Sequence, residues 1–287
     1  MLQNLIFPFI HTYGLMLAVG FYAAWWLGAR RARAEGLDPE IIGNLVLIGI
    51  LAGVGGARLL FCIRYHDPQE SFWSIFIVWE GGLVFYGGLI AATVAIAVYL
   101  WRRKIPMWQM SDVVAPTLAL GQAFGRLGCF LNGCCFGGPA TRNFLLGVAF
   151  PGTIISRETP LGTTVLEPVG SPAFMEHFKS GWLENSATAS LAIHPTQLYD
   201  AFMLFAITGL LIAATSYRRR YGELLALYAI LNGICRFGTE LVRRDAEAGL
   251  LGLTDGEFGA IIVLLIGIAL FVWARLRGTP VHGHIEP

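Results

Sequence analysis

Seven stretches of the sequence, about 13–29, 43–63, 83–101, 112–131, 197–216, 222–241 and 257–275, stay apolar long enough to read as membrane spans. A bilayer core of about 30 Å is crossed by a helix of roughly 20 such residues. In lipid, a helix satisfies its own backbone groups, which an open sheet cannot do. The expected fold is therefore an all-α integral membrane protein with about seven transmembrane helices. Only 14% of the 287 residues are charged, against about 25% in soluble domains, so a water-soluble fold is excluded. The net charge is +1, and the basic residues sit at the ends of apolar stretches instead of forming one patch, which argues against a nucleic-acid partner.

Short cytoplasmic loops are enriched in lysine and arginine. Basic clusters follow the first, third, fifth and seventh stretches: Arg30, Arg31 and Arg33; Arg102, Arg103 and Lys104; Arg218, Arg219 and Arg220; Arg275 and Arg277. The opposite side holds Arg64, Arg243 and Arg244. This alternation predicts an N-terminus outside and a C-terminus in the cytoplasm. Tyr13–Ala29 runs straight into an arginine cluster and is expected to remain as a mature helix, not a cleaved leader. Residues 1–287 are expected to form a single domain whose one long connection, about 132–196, builds a small extracytoplasmic cap. Within it, Phe144–Phe150 alternates like a strand, and Ala173–Trp182 resembles a short amphipathic helix.

A charged side chain at the centre of a membrane helix costs roughly 2.5–3.5 kcal/mol on insertion scales, so retained charge points to a function. The fourth stretch carries Arg126, with Gln122 one turn before it. The sixth carries Arg236, Glu240, Arg243 and Arg244 at helical spacing, with Asn232 one turn before Arg236. Arg236 and Glu240 can pair with each other, and Arg126 can snorkel to the interface. Arg126, Arg236 and Arg243 nevertheless exceed what Glu240 neutralises, so an external anion is the expected partner. Paired guanidinium forks suit phosphate, and in a membrane the nearest phosphate belongs to a lipid headgroup. His194-Pro195-Thr196-Gln197-Leu198-Tyr199-Asp200 at the fifth stretch and His11-Thr12-Tyr13-Gly14 at the first read as helix-start and interfacial residues on physics alone. Cys129, Cys134 and Cys135 match none of the usual zinc spacings, so no metal is expected; a disulfide or small-residue packing remains open. Gly53, Gly55, Gly56, Gly87 and Gly88 are expected to serve close helix packing.

Taken together, these residues resemble the bacterial phosphatidylglycerol:prolipoprotein diacylglyceryl transferases over most of the chain. The resemblance is carried by His11-Thr12-Tyr13-Gly14-Leu15-Met16, Gly56-Ala57-Arg58-Leu59, Gly87-Gly88-Leu89-Ile90, Gly125-Arg126-Leu127-Gly128, Asn132-Gly133 with Gly137, His194 to Tyr199, and Arg236, Glu240 and Arg243. It implies a seven-helix inner-membrane enzyme that moves the diacylglyceryl group of phosphatidylglycerol to the lipobox cysteine of preprolipoproteins, without a cofactor. Glycerol phosphate leaves. By the same resemblance Arg126 and Arg236 would hold the lipid phosphate and Glu240 would orient an arginine. Arg243, Asn132, Gly137, His11, Tyr13 and His194 would contribute to substrate binding.

The chain departs from the family pattern at four positions. Tyr86 stands where a histidine usually precedes Gly-Gly-Leu-Ile, Cys129 where asparagine is common, Cys134 where glutamate is common, and Asn232 where tyrosine is usual. Tyrosine, with a reference pKa near 10, is a weaker base near neutrality than histidine. Tyr86 is carried into the catalytic set on position alone, with His194 or Glu240 as other candidates for the base. Two further readings stay open on the sequence: a divergent member with another acceptor or lipid, and a non-catalytic phospholipid-binding membrane protein.

Overall fold

The computed structural model of the chain describes residues 12–65, 82–141, 144–158, 164–243 and 252–281. Among these, eight α-helices and one antiparallel pair of strands follow in the order α1 (Thr12–Ala34), α2 (Glu40–Tyr65), α3 (Phe85–Arg102), α4 (Met107–Asn132), β1 (Gly152–Glu158), β2 (Thr164–Gly170), α5 (Pro172–Lys179), α6 (Thr196–Ala214), α7 (Glu223–Glu240) and α8 (Asp255–Arg277). Every apolar stretch coincides with one of the long helices. Five of these, α2, α3, α4, α6 and α8, are long and apolar enough to cross a membrane. The other two are more polar, α7 because it carries Glu223, Arg236 and Glu240. Large apolar side chains such as Phe85, Trp101 and Leu276 stand exposed on the helices, a surface suited to lipid. The protein is a mostly helical, multi-pass membrane protein.

The chain divides into two compact units, Trp25–Val114 and Met1–Ala24 with Ala115–Pro287. In the first, α2 and α3 pack with their backbones in close approach, because the contact is lined by glycine. A Cβ on Gly56 would lie 2.6 Å from the Gly87 carbonyl oxygen and would overlap the Ala91 side chain. Lipid removes the hydrophobic drive between helices, so van der Waals fit of this kind carries the association. Gly56→Ala is expected to destabilise the protein by about 1–3 kcal/mol through overpacking, read as a lower unfolding temperature in detergent. Gly55→Ala, whose Cβ meets nothing within 4 Å, should leave that temperature nearly unchanged. At the end of α1, Arg31 Nη2 donates to the Asp112 carbonyl (3.4 Å) and Gln109 Nε2 donates to the Glu35 carbonyl (2.9 Å), which ties this end to the start of α4.

In the second unit, Ala115, Ala119 and Ala123, spaced four residues apart, present a stripe on α4 that packs with Leu204, Ile207 and Leu211 of α6 and with Leu224 of α7. Small residues at this spacing let helices approach closely. Thr254 and Glu257 form a reciprocal capping box at the start of α8, satisfying donors that the helix itself cannot. After α8 the chain meets the α6–α7 turn: Arg220 Nη1 donates to the Gly278 carbonyl (2.8 Å), and Arg275 pairs with Glu223 (3.0 Å).

The segment between α4 and α6 departs from the expected pattern. Residues 144–150 form no strand beyond a single bridge between Val148 and Ile193. Extended pairing falls instead on β1 and β2, with Gly152 opposite Gly170 and Glu158 opposite Thr164. Alternation alone does not supply a partner, whereas the β1 and β2 sequences can pair with each other. The expected short helix is present as α5, started by Ser171, whose hydroxyl accepts from Phe174 N. Phe136, Phe150, Ala173 and Ile193 form a small core beneath it. His177 is buried beside the rings of Phe136 and Trp182, its Nδ1 accepting from Leu191 N (3.2 Å). Burial lowers its affinity for a proton.

Candidate active site

Three helices of the second unit bring the charged residues together. Arg126 projects from the last turns of α4, Asp200 from the second turn of α6, and Arg236 and Glu240 from the last turn of α7, with Arg243 just beyond. Arg126 Nε lies 3.2 Å from Asp200 Oδ2, and Arg236 Nη1 lies 3.8 Å from the same oxygen. Arg236 Nη2 pairs with Glu240 Oε1, which Arg243 Nη1 also approaches at 3.4 Å. The carboxylates are almost wholly enclosed, at 8% and 3% exposure, while the three arginines keep between 20% and 27%. The acids are thus buried supports, and the cations face the accessible side.

Glu240 is held from two directions. Its helix supplies Arg236 one turn earlier, and Gly256 in the first turn of α8 leaves room for its carboxylate, which a Cβ there would overlap. The positive end of α8 adds a favourable field to that of the arginines. Asp200 was not among the site residues expected from the sequence. It was visible only as one of several polar residues opening a helix, although a carboxylate inside an apolar span requires a cation nearby. Its presence revises the charge balance: among the described residues three arginines face two carboxylates, an excess of one positive charge.

That excess has a structural counterpart. Arg236 Nη1 is buried and, among the described residues, has no hydrogen-bond acceptor. An unmet donor in such a place costs about 1–3 kcal/mol, and more for a charged group, unless a ligand supplies the acceptor. Deeper along the same helices a neutral network is closed. Gln122 Nε2 donates to Tyr228 Oη (2.7 Å), and Asn232 Nδ2 donates to Gln122 Oε1 (2.9 Å). Asn232 therefore acts with Tyr228, one turn before it, a partner the sequence reading did not include.

The loop after α4 is fastened to the site. Gly137 N donates to the His194 carbonyl (3.0 Å), and Gly138 N donates to the Val242 carbonyl (3.1 Å), one residue from Arg243. Thr196 and Gln197, both essentially buried, donate to the carbonyls of Cys135 and Cys134 at 3.1 and 2.8 Å. His194 is engaged by Tyr199, with Nδ1 to Oη at 3.5 Å, and by the Phe144 ring, 4.4 Å between centroids. Asn132 ends α4 and hydrogen-bonds the Cys134 thiol. Tyr13 packs over Gly128, whose Cβ would stand 3.0 Å from its ring, within electrostatic range of Arg126. His11 lies outside the described residues. Tyr86 belongs to the other compact unit, in the first turn of α3 and 59% exposed, with its ring edge-on to Phe85 at 5.8 Å.

The arrangement offers guanidinium donors and an excess positive charge to an anion that reaches it from the exposed side. The sequence model of the family described as prolipoprotein diacylglyceryl transferase matches residues 2–273. A protein of Chromohalobacter salexigens named phosphatidylglycerol–prolipoprotein diacylglyceryl transferase is 33% identical over 281 residues, covering 93% of this chain and 90% of its own. A relative of the same name from Xylella fastidiosa is 34% identical over 279 residues, covering 93% of this chain and 89% of its own. Another, from Symbiobacterium thermophilum, is 29% identical over 271 residues and covers 93% and 90%. Matched along nearly its whole length and at this identity, the chain belongs to the prolipoprotein diacylglyceryl transferase family.

Proposed function

We infer that this protein transfers the diacylglyceryl group of phosphatidylglycerol to the lipobox cysteine thiol of preprolipoproteins. The observation that carries this reading is the buried Nη1 of Arg236, which among the described residues has no hydrogen-bond acceptor, within a three-arginine, two-carboxylate cluster whose Arg126, Arg236, Glu240 and Arg243 match the family motif. The thiolate sulfur bonds to the glyceryl carbon, the bond from that carbon to the phosphate oxygen breaks, and glycerol phosphate departs with the electron pair. The proton given up by the thiol passes to a base. Negative charge grows on the departing oxygen, where fixed donors in a water-poor site are most effective. Arg126 and Arg236 act there, Arg243 completes the phosphate contact, and Asp200 and Glu240 hold the guanidinium groups at their stations. Asn132, Gly137, Tyr13 and His194 contribute to substrate binding beside the cluster, and His11 and Tyr86 are assigned to the site by their places in the family pattern alone, Tyr86 in the position of the family's histidine.

All seven long helices cross the cytoplasmic membrane in this reading, with the N-terminus outside, the C-terminus inside, and the β1–β2–α5 segment as an extracytoplasmic cap. It is supported by the way basic ends assigned to one side meet: the α6–α7 turn with the end of α8, and the end of α1 with the start of α4. The test is transfer in proteoliposomes from labelled phosphatidylglycerol to a lipobox peptide. A cysteine peptide should become labelled through a thioether, and its serine counterpart should stay unlabelled.

A further inference from the structure

The transfer chemistry proposed above assigns no role to Cys129, Cys134 and Cys135, yet the fold gathers them. Their sulfur atoms all lie within 4.8 Å of one another, and all three thiols are free. The convergence follows from how α4 ends. Gly133 adopts φ +71°, Gly133 N donates to the Phe130 carbonyl (3.1 Å), and Cys134 N donates to the Cys129 carbonyl (3.1 Å). This is the Schellman termination, in which the residue two beyond the helix meets the residue five before it. At this helix those two residues are Cys134 and Cys129. Cys135 then takes φ +57°, a left-handed conformation that costs a non-glycine residue about 1–2 kcal/mol and turns the chain back.

The site is held before anything binds. Thr196 Oγ1 and Gln197 Nε2, buried at the start of α6, fix the carbonyls of Cys135 and Cys134. Strain at Cys135, rigid carbonyl anchors and three convergent sulfurs are the features of a preorganised ligand set. We propose that Cys129, Cys134 and Cys135 form a binding site for a thiophilic divalent cation of the zinc class, with three sulfur ligands and one open coordination position. Zinc–sulfur bonds of about 2.3 Å need sulfurs roughly 3.8 Å apart, a spacing compatible with three sulfurs that all lie within 4.8 Å of one another. Three protein ligands with an open fourth position is the pattern of accessible zinc sites, not of sealed structural ones.

Each thiol yields its proton to solvent as the metal binds. Three thiolates with one divalent cation carry a single negative charge, placed beside the arginine cluster. Occupancy of this site is thus expected to weaken phosphate capture beside it.

Cobalt(II) is the probe, because thiolate ligation gives it intense charge-transfer absorption. Reduced, detergent-solubilised full-length protein should take up one equivalent with this band, and zinc should remove it. Cys62→Ser/Cys235→Ser should retain the band, whereas Cys129→Ser/Cys134→Ser/Cys135→Ser should lose it. Any one of the three single serine variants should weaken cobalt binding by more than the roughly 10–100-fold that loss of a supporting partner costs at a metal site. Should the triple variant not fold, mapping of maleimide labelling on the unaltered protein decides: zinc should protect Cys129, Cys134 and Cys135 but not Cys62 or Cys235. Absence of the band in fully reduced protein, its survival in a folded triple variant, or equal labelling of all five cysteines with and without zinc would overturn the proposal. None of these readouts depends on transferase activity.

Discussion

Arg126→Ala lowers turnover of phosphatidylglycerol by about 10²–10³-fold, the range found when one fixed donor to a developing oxyanion is removed, or ~3–4 kcal/mol of barrier. Arg126 is 26% exposed and reaches Asp200 from the accessible side, so its loss removes a donor from the space a phosphate enters. Asp200 keeps Arg236 at 3.8 Å and is not stranded as an unpaired buried charge, so folding and membrane insertion should survive. The comparison is steady-state release of glycerol phosphate alongside a thermal unfolding profile of the same preparation. Arg126→Lys restores the charge but not the planar fork, and should recover only a small part of the rate.

Asp200→Asn separates positioning from charge. The carboxylate is a shared acceptor for Arg126 and Arg236, and at 8% exposure it is scarcely screened by solvent. Losing it has two opposite consequences. The cluster becomes more positive, and two charges about 4 Å apart interact by roughly 4 kcal/mol at an effective dielectric constant near 20, so lipid phosphate should bind at least as tightly as before. Freed from their common acceptor, however, the two guanidinium groups no longer hold the geometry that the departing oxygen requires, and misplacement by about 1 Å can cost on the order of 100-fold. The expected result is a large fall in kcat with KM for phosphatidylglycerol unchanged or lower. A purely structural role would instead reduce the folded fraction and leave both constants of the remaining enzyme alone. Some loss of stability is expected as well, because removing one member of a buried ion cluster costs about 3–5 kcal/mol.

Much of this molecule could be read directly from the order of its residues. The long helices announce themselves because lipid demands an unbroken apolar run, and each expected stretch falls on a helix. Arg126, Arg236, Glu240 and Arg243 stood out because charge in such a run is costly. Asp200 did not, since near a helix start a carboxylate is commonplace and only the fold shows that two arginines from other helices converge on it. The Gln122–Asn232–Tyr228 network was hidden for the same reason: its members lie on α4 and α7, and their spacing along the chain says nothing of their meeting. The short strand expected at 144–150 is absent, and the β1–β2 hairpin was not foreseen, because alternation alone does not reveal a partner strand.

The meeting of the cysteines was legible in another way. The interval from Cys129 to Cys134 with Gly133 between them matches none of the usual zinc-ligand spacings, but it is the interval of a glycine-terminated helix folding its chain back on itself. The signal was present as a helix stop, not as a metal motif. Tyr86 marks the opposite limit. Its place in the family pattern is clear from sequence, but its chemical role depends on what stands opposite it when lipid and peptide are bound.

The most direct test of the transfer reaction is the amount of glycerol phosphate released from phosphatidylglycerol per thioether formed, measured with the purified protein and a lipobox peptide in its cysteine and serine forms. One glycerol phosphate for each thioether with the cysteine peptide, and neither product with serine, is the predicted result. Folded, lipid-bound protein that releases no glycerol phosphate with the cysteine peptide, or releases it equally with serine, would contradict the account.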